Sequence, residues 1–380
     1  MDFKFSEEHE ILRREIRRFA EEEIKPIVDE YEEREESPVH LFPKLGELGY
    51  LCPTYSQKYG AAEMGFIGEC IITEELAKVC VGIAAMFVVQ NGIGTSVIYN
   101  HGSEEQRQKY VVPAIKGQKI SAFALTESNA GSDIASMETT AAKKDGNYIL
   151  TGNKIYTSNG PIADFVTVAA YTDKGKGPRE GISIFIVENG MPGFTVTKMR
   201  KVGNRSTSTG ELFFDEIKIP TDNLVGQEGK GFRYLMETLN EGRIIHAFET
   251  LGEAEAAFEA SLEYAKNRVQ FGQPIGKFQA VAFKLARMAM DIEAAKWLSY
   301  YAAWLYEQGE KRCRMEVSMA KLFASEMAQR VTSEAMQIHG GVGYMMDSPV
   351  QRFWRDARLH TITDGTSEIQ ELIISRELGL

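Results

Sequence analysis

The sequence predicts an α+β protein with an N-terminal helix bundle, a middle antiparallel β domain and a C-terminal four-helix bundle. Apolar residues recur at helical spacing before about residue 119 and after about residue 229, and alternate with polar residues between these limits. The alternating segments follow one another through short turns with no helix between them, which favours antiparallel strands. We therefore expect three domains, at residues 1–119, 120–228 and 229–380.

The first region is typical of packed helices. Ser6 is a candidate N-cap residue, because its hydroxyl can accept a hydrogen bond from a backbone N–H. Apolar residues follow it at helical spacing, namely Ile11, Leu12, Ile16 and Phe19. Residues 41–51 predict a second helix that ends near Gly49, and the apolar segment 71–99 predicts a further one.

Five segments of the middle region have the alternation and the β-branched and aromatic residues of strands. These strand candidates are 148–150, 165–168, 182–187, 194–196 and 211–214. Asp, Asn, Gly and Pro residues supply turn chemistry between them, at 144–147, 159–161 and 188–190. An antiparallel sandwich or barrel is the expected arrangement.

The last region contains three apolar stripes at helical spacing. Their members are Leu251, Ala254, Phe258, Leu262 and Ala265; Leu285, Met288, Ile292, Ala295 and Ala302; and Ala320, Ala324, Met327, Val331 and Ile338. Long stripes of this kind indicate the buried core of a helix bundle.

The composition excludes some classes of partner. The chain has 380 residues, of which 43% are hydrophobic and 26% charged, as in a globular protein with a core. Its 43 Lys and Arg against 54 Asp and Glu give a net charge of −11. Such an acidic surface does not favour nucleic acid or an anionic membrane. An anionic substrate must therefore be bound by a few local cations and backbone amides.

No segment indicates export or membrane insertion. The first five residues lack a basic region followed by an apolar one, so no secretory signal is expected. We find no run of about 18 apolar residues and expect no transmembrane helix. A cytoplasmic bacterial or archaeal protein is the expectation, and an organellar protein that has lost its transit peptide is the alternative.

Neither a metal site nor a common catalytic motif is predicted. The four cysteines have no CxxC spacing, which suits reduced, buried thiols. The six histidines are scattered, and each is more typical of a surface or hydrogen-bonded core residue than of a metal ligand. There is no HExxH, no GxxxxGK[ST] and no GxSxG. The Gly92-Ile93-Gly94 segment lacks the third glycine of a dinucleotide fingerprint, so a Rossmann fold is not expected.

Two segments have small and polar residues where a ligand could approach the backbone. The first, 124–133, lies where the helical region gives way to the β region. Its amides suit a flavin edge or a phosphate, and equally a tight loop before a strand. The second, 337–344, contains Gly340, Gly341 and Gly343. One glycine can end the preceding helix, but three indicate close approach to a flat or anionic group.

These two segments resemble the signature regions of the acyl-CoA dehydrogenase family, in the same order along the chain. Further segments that match the family in order are 153–160, 268–272, 278–279 and 365–370. The helix–β–helix arrangement is similar over essentially the whole chain. Because several motifs agree in order, the chain is identified as similar to this family of FAD enzymes.

The resemblance implies FAD as cofactor, an acyl-CoA as substrate, an electron-transferring flavoprotein as electron acceptor and a homotetramer. It assigns to FAD the residues Phe123, Leu125, Thr126, Ser132, Tyr156, Thr157, Ser158, Arg268, Gln270, Phe271, Gln279, Gln337, Gly340, Gly341, Thr366 and Glu368. Those from Arg268 to Gly341 would bind FAD partly across a subunit interface. The residues assigned to the acyl-CoA are Ser132, Asn240, Arg243 and Gly365.

The implied reaction is α,β-dehydrogenation, in which a carboxylate removes the α-proton and the β-hydride goes to flavin N5. The usual base is a glutamate directly before the Gly-Thr-Ser motif, and here that position is Asp364. Some members place the glutamate directly before the arginine that matches Arg243, where this chain has Gly242. The neighbouring Glu241 would point about 100° away on a helix. Asp364 is therefore the expected base.

An aspartate reaches about 1.5 Å less far than a glutamate, which leaves three interpretations open. The first is a dehydrogenase whose substrate brings its α-carbon closer to the backbone, as a ring or an α-branch does; cyclohexane-carboxyl-CoA is an example. The second is a flavin oxidase of a non-CoA substrate, similar to nitroalkane oxidase, which also uses an aspartate. The third is a flavin- or CoA-binding protein that has lost dehydrogenase activity.

Overall fold

A computed structural model describes residues 4–310 and 313–380. Residues 1–3, on which the expected absence of a secretory signal partly rests, lie outside the described part. The chain forms helices, then a β-sheet, then helices again, so the predicted α+β fold class is confirmed.

The first five helices before the sheet share an apolar core, whereas the apolar residues of the sixth and the eighth pack with strands of the sheet. In chain order, the helices are α1 (Glu7–Phe19), α2 (Val28–Arg34), α3 (Leu41–Glu47), α4 (Gly65–Val79), α5 (Val81–Asn91), α6 (Ser96–His101), α7 (Glu104–Gln106) and α8 (Val112–Ile115). Ser6 caps α1 as predicted, because its Oγ accepts a hydrogen bond of 3.2 Å from the N–H of His9. The segment predicted as one helix is interrupted at Cys80, whose backbone is extended, and again at Gly92.

One segment of the described residues, Val81–His101, is long and apolar enough to cross a membrane. The sequence does not show it as an uninterrupted apolar run, because Gln90 and Asn91 divide it. In the fold, 78% of its most apolar window is buried. Phe87 of α5 packs on Phe42 of α3 with ring centroids 5.1 Å apart, so this segment belongs to the helical core.

Seven strands form the central sheet. They are β1 (Ser121–Ala124), β2 (Thr140–Lys144), β3 (Asn147–Ser158), β4 (Phe165–Tyr171), β5 (Ile182–Glu188), β6 (Phe194–Met199) and β7 (Thr209–Pro220). Their order is β1-β4-β2-β3-β7-β6, and β5 pairs with β4. The five predicted strands are confirmed as parts of β3 to β7. β1 and β2 escape prediction, since β1 is buried on both faces and β2 is mostly exposed.

The sheet is not wholly antiparallel, which corrects the prediction. β1 runs parallel to β4, and β2 pairs in parallel with β4 through Thr140 and Tyr171. Parallel neighbours need a long connection, whereas antiparallel ones need only a turn. The loop 125–139 and the β2–β3 hairpin lie between β1 and β4 and provide that length. A short helix, α9 (Gly177–Gly181), leads into β5.

The last region is built on three long helices, α10 (Gly231–Asn267), α11 (Gln279–Glu307) and α12 (Arg314–His339). A hairpin of β8 (Val269–Gln270) and β9 (Gln273–Pro274) joins α10 to α11. Two shorter helices follow α12, namely α13 (Pro349–His360) and α14 (Ser367–Glu377). The predicted apolar stripes lie in one core, with Phe258 and Leu262 half-buried at its margin.

The four cysteines are buried and free, in agreement with the prediction of reduced thiols. Burial raises the pKa of the Cys80 thiol to about 11. That thiol therefore stays protonated near neutral pH and is a poor nucleophile.

Candidate active site

Asp364 lies in a strained turn between α13 and α14. Its backbone has φ 53°, and the next residue, Gly365, has φ 89°. Aspartate tolerates this left-handed conformation better than most residues, but the strain must be held by its surroundings. The Asp364 carbonyl accepts hydrogen bonds of 3.2 Å from Arg243 Nε and Gln370 Nε2, and the Gly365 carbonyl accepts one of 2.8 Å from Lys321 Nζ. The turn thus brings three residues of the expected site together.

The carboxylate of Asp364 is accessible, with 23% of the side chain exposed. Glu241 points elsewhere, as predicted for a residue one step around the helix, and its carboxylate accepts a 3.1 Å hydrogen bond from the Tyr306 hydroxyl. Gly242 faces Ile93, since a Cβ added to it would lie 3.5 Å from Ile93 Cγ2. Neither alternative position on α10 therefore places a second carboxylate beside Asp364.

Two histidines that are far apart in the sequence meet beside Asp364. His246 on α10 and His360 at the end of α13 are 3% and 1% exposed, and 3.2 Å separates His360 Nδ1 from His246 Nε2. Neither histidine was predicted from the sequence as a site residue. One signal was available, because His246 is four residues after Gly242 and so shares its face of α10.

A buried ion pair anchors the loop after β1. Lys154 of β3 is fully buried, and its Nζ lies 2.7 Å from Glu127 Oε1 and 2.9 Å from the Leu125 carbonyl. Burial lowers the pKa of Lys154 to about 8. Burial alone would raise the pKa of Glu127, but Lys154 and the N–H groups of the loop lower it. The pair therefore stays ionised near neutral pH and fixes the loop that carries Thr126.

A β-bulge in β3 arranges three of the residues assigned to FAD. The register with β7 shifts between Lys154 and Thr157, and Tyr156 between them has φ 57°. Bulges re-aim side chains and occur often beside active sites. Here Tyr156 is 64% exposed, whereas Thr157 is 2% exposed and its Oγ1 has no partner among the described residues. Ser158 follows, half-buried.

The bulge lies beside the end of β1 and the loop after it. The N–H of Ile155 donates to the Thr126 carbonyl at 2.8 Å, which ties the two segments together. Phe123 and Leu125 are each 9% exposed, and Thr126 is half-buried. Ser132 lies exposed further along the loop. The structure therefore brings most of this predicted group together.

A second predicted group lies at the far end of α10. Arg268 ends that helix, and the hairpin turn that follows has Phe271 at φ 50°, 95% exposed, and Gly272 at φ 77°. Gln270 lies exposed in this hairpin and Gln279 exposed at the start of α11. Arg243 and Arg268 are separated by about 37 Å of helix. Within one chain this group is therefore remote from Asp364.

The glycine-rich bend after α12 lies beside the hairpin. Gly340 ends α12 with φ 59°, and no atom of the described residues lies within 4 Å of a Cβ added to it or to Gly341. Gln337 is exposed one turn earlier. The Tyr264 and His339 rings stack with centroids 4.3 Å apart, which joins the end of α12 to that of α10. The open glycines make a surface that a flat or anionic group can approach closely.

The remaining predicted residues lie near Asp364. Thr366 caps α14, and its Oγ1 accepts a 3.4 Å hydrogen bond from the N–H of Ile369. Glu368 is exposed in the first turn of the same helix. Asn240 is half-buried one turn before Arg243 on α10. Thr366 and Glu368 thus follow the turn at Asp364 directly, and Asn240 lies on the same helix as Arg243.

The two groups away from Asp364 suit a flavin nucleotide. The buried Thr157 hydroxyl has no partner among the described residues and is suited to a ligand acceptor or donor, because an unpaired buried polar group costs about 1–3 kcal/mol. Exposed aromatic rings at Tyr156 and Phe271 offer flat surfaces. Gly340 and Gly341 leave backbone open to phosphate groups.

Two glutamates with raised pKa values lie between α4 and α10. Glu69 is 1% exposed, and its Oε2 has no hydrogen-bond partner among the described residues. Burial, and then the charge of Glu241, raise the pKa of Glu69 to about 8. Burial also raises the pKa of Glu241 to about 7, despite the hydrogen bond from Tyr306. Both carboxyls therefore hold protons well above the pH at which glutamate usually loses them.

We expect the parent protein to become less stable as the pH rises because of Glu69, and Glu69→Gln to abolish this part of the pH dependence. An unfolded glutamate loses its proton near pH 4.5, whereas folded Glu69 holds it to about pH 8. Between these values the folded state binds more protons, so stability falls as the pH rises and the loss is complete above the folded pKa. In melting curves from about pH 5 to about pH 9, the advantage of the variant should grow with pH. An equal change at every pH would contradict this, and the exposed Glu22→Gln serves as control.

Comparisons with known proteins agree over the whole length of the chain. Three family models match it: the acyl-CoA dehydrogenase N-terminal domain over residues 6–118, the middle domain over 122–217 and the C-terminal domain over 229–379. The chain is similar to the short-chain specific acyl-CoA dehydrogenase of Clostridium acetobutylicum, with 42% identity over 379 residues and 100% of both chains covered.

Solved structures show the same similarity. The structure of butyryl-CoA dehydrogenase from Megasphaera elsdenii matches with a TM-score of 0.96 and 40% identity, covering 100% of both chains. A chain from the structural study of the electron transferring flavoprotein of Acidaminococcus fermentans matches with a TM-score of 0.96 and 40% identity, covering 100% of this chain and 99% of that one.

Proposed function

This chain belongs to the acyl-CoA dehydrogenase family, and from that premise we propose that Asp364 removes the α-proton of an acyl-CoA thioester. The observation that carries the proposal is the accessible Asp364 carboxylate, in a turn held by Arg243, Gln370 and Lys321. FAD is the cofactor, and when bound it supplies the acceptor for the β-hydride.

The turn at Asp364 has a further property that the reaction needs. A simple α-C–H is a weak acid, so the site must stabilise the negative charge that develops on the thioester oxygen. The N–H of Asp364 donates to no acceptor in the described part of the chain. We assign it as a donor to the thioester oxygen, because a fixed backbone N–H costs no reorganisation during the reaction.

Three residues are proposed to bind the CoA portion. Arg243 uses its Nε for the Asp364 carbonyl, which leaves its other N–H donors for an anionic or carbonyl group. Asn240 lies one turn earlier on α10, and Ser132 lies on the loop after β1. One guanidinium group and neutral hydrogen-bond donors would then bind the anionic CoA portion. Such a site needs no broadly basic surface, which agrees with the net charge of −11.

We propose a homotetramer in which FAD binds between copies. The supporting observation is the position of the hairpin and the glycine-rich bend, about 37 Å along α10 from Arg243. An isolated chain would leave Phe271 95% exposed. In a neighbouring copy this end would reach the FAD held at the bulge of β3. Its proposed contact residues are Arg268, Gln270, Phe271, Gln279, Gln337, Gly340 and Gly341.

A short-chain acyl-CoA is the proposed substrate. The relative from C. acetobutylicum is named short-chain specific, and the structure from M. elsdenii is a butyryl-CoA dehydrogenase. Neither name supports a substrate with a ring or an α-branch, which the short side chain of Asp364 suggested. Rates with a straight, a branched and a cyclic acyl-CoA distinguish these three kinds of substrate.

An electron-transferring flavoprotein is the proposed electron acceptor. The support is the similar chain from the structural study of such a flavoprotein in A. fermentans. Relatives from C. acetobutylicum and Bacillus subtilis are bacterial, while relatives from two mammals are named mitochondrial. We propose a bacterial cytoplasmic location.

The test is flavin reduction under anoxia by butyryl-CoA, isobutyryl-CoA and cyclohexane-carboxyl-CoA. We expect butyryl-CoA to bleach the flavin fastest, and an electron-transferring flavoprotein to restore its colour. Oxygen should be consumed slowly. If none of the thioesters bleaches the flavin, the proposed dehydrogenase function is wrong. Hydrogen peroxide formed with a nitroalkane would instead support the oxidase interpretation.

A further inference from the structure

His246 presents one ring nitrogen to two carboxylates. Its Nδ1 lies 3.0 Å from Oε2 of Glu249 and 3.6 Å from Oδ2 of Asp364. The first distance is a hydrogen bond, and the second is slightly too long for one. His246 is 4% exposed at its side chain and Asp364 23%, so the contact lies at the inner edge of the accessible carboxylate. A small shift of the aspartate side chain would bring it onto the histidine.

The groups behind His246 determine which of its nitrogens carries the proton. Burial raises the pKa of Glu253 well above its usual range, so its carboxyl is protonated and donates to His360 Nε2 at 2.7 Å. Burial lowers the pKa of His360 well below its usual range, so that ring is neutral with its proton on Nδ1. This N–H donates to His246 Nε2 at 3.2 Å. This arrangement of protons leaves His246 with its own proton on Nδ1, the nitrogen that faces both Glu249 and Asp364.

Charged groups from neighbouring elements favour Asp364 over Glu249 as the acceptor. Burial raises the pKa of Glu249, so this carboxyl retains its proton to higher pH and is then a weaker acceptor. Lys321 on α12 donates to the carbonyls of His360 and Gly365 at 2.8 Å each. Arg243 holds the Asp364 carbonyl from α10. These contacts fix the backbone on both sides of the array while the Asp364 carboxylate stays free to move.

We propose that His246 is a positioning residue for Asp364, whose carboxylate it binds and orients through its Nδ1–H. The proposal rests on the proposed function, in which Asp364 is the base that accepts the α-proton. An aspartate is one methylene shorter than a glutamate, so its carboxylate stays close to α10, where His246 can reach it. The hydrogen bond keeps the carboxylate aimed at the substrate, which compensates for the freedom of a short, partly exposed side chain.

Two variants of His246 separate orientation from packing. His246→Leu removes the donor, and His246→Asn places an amide N–H near the position of Nδ1. With one acyl-CoA under anoxia, we expect His246→Leu to slow flavin reduction about 30-fold. His246→Asn should restore most of the rate, because its amide again donates to the carboxylate.

Crystal structures of the parent and of His246→Leu give a readout that does not depend on turnover. In the parent with bound ligand, Asp364 Oδ2 should lie within hydrogen-bonding distance of His246 Nδ1. In His246→Leu the carboxylate should take a different orientation. An unchanged carboxylate overturns the proposal, even if no acyl-CoA proves to be a substrate and the proposed function fails.

His101→Asn is the matched control for the kinetic measurement. His101 is also paired with a glutamate, 3.0 Å from Glu237 Oε2, but on α6 and away from the turn. It should keep the rate of the parent. A His246→Leu enzyme with the parent's rate, or a His246→Asn enzyme no better than His246→Leu, would show that His246 does not position the base.

Discussion

We expect Asp364→Asn to slow flavin reduction by an acyl-CoA about 1000-fold while the protein retains its FAD. Asparagine has the shape of aspartate and also tolerates a left-handed backbone, so the turn at φ 53° should persist. The hydrogen bonds from Arg243 and Gln370 reach the Asp364 carbonyl rather than its side chain, and they are kept. The amide cannot accept the α-proton. Rapid-mixing absorbance under anoxia measures the rate, and the flavin-to-protein ratio measures FAD.

Two other substitutions make the result specific. Asp145→Asn is the same change at another left-handed aspartate, with φ 47° in the exposed β2–β3 turn, and should leave the rate unchanged. Asp364→Glu keeps a carboxylate with a longer reach and should retain much of the rate with butyryl-CoA. If Asp364→Asn reduces its flavin as fast as the parent, another group is the base.

Lys154→Met is expected to lower stability by about 3–5 kcal/mol and to reduce the FAD that the protein retains. Lys154 is fully buried and pairs with Glu127 at 2.7 Å. Its removal leaves a buried carboxylate without its cation and the Leu125 carbonyl without its donor. The loop that carries Thr126 then loses its anchor to β3. Thermal unfolding and the flavin-to-protein ratio measure the two effects.

The controls for Lys154 separate burial from charge. Lys143→Met removes a lysine that is 63% exposed and 3.8 Å from Glu228, and should change stability by less than about 0.5 kcal/mol. Lys154→Met combined with Glu127→Leu should recover part of the loss, because no unpaired charge remains. Recovery stays incomplete, since Glu127 also accepts the N–H of Thr139 at 3.1 Å. Full FAD and an unchanged melting temperature in Lys154→Met would refute the role of this pair.

The local parts of the fold were predictable from the sequence. Ser6 as a cap, the apolar stripes of α10 to α12 and the five strands each depend on residues a few positions apart. The parallel pairing of β1 with β4 depends on the path of a long connection, which alternation does not encode. Lys154 shows a different limit. Lysine is almost never fully buried unless it is paired, so a strand pattern places it outside until its partner is known.

The residues of the candidate site also fall into two kinds, those that a sequence motif predicts and those that only the fold brings together. The position of Asp364 follows from a contiguous motif, and Gly365 and Thr366 follow with it. His246 and His360 are 114 residues apart, and only the packing of α13 against α10 brings them into contact. Their partner Glu253 has one side-chain oxygen without a hydrogen bond among the described residues. Sequence patterns can therefore indicate candidate residues, but only the tertiary structure shows which of these buried side chains contact one another.

The length of α10 has a genetic consequence. In the proposed homotetramer, α10 contacts the substrate of its own chain near Arg243. About 37 Å away, near Arg268, it contacts the FAD of a neighbouring chain. A defect at Phe271 would therefore impair a site in the adjacent copy, while a defect at Asp364 would impair its own. When intact and damaged copies are made together, a chain with the first kind of defect would disable the site of an intact neighbour while its own site stays complete. Two chains with different defects could also form one complete site between them.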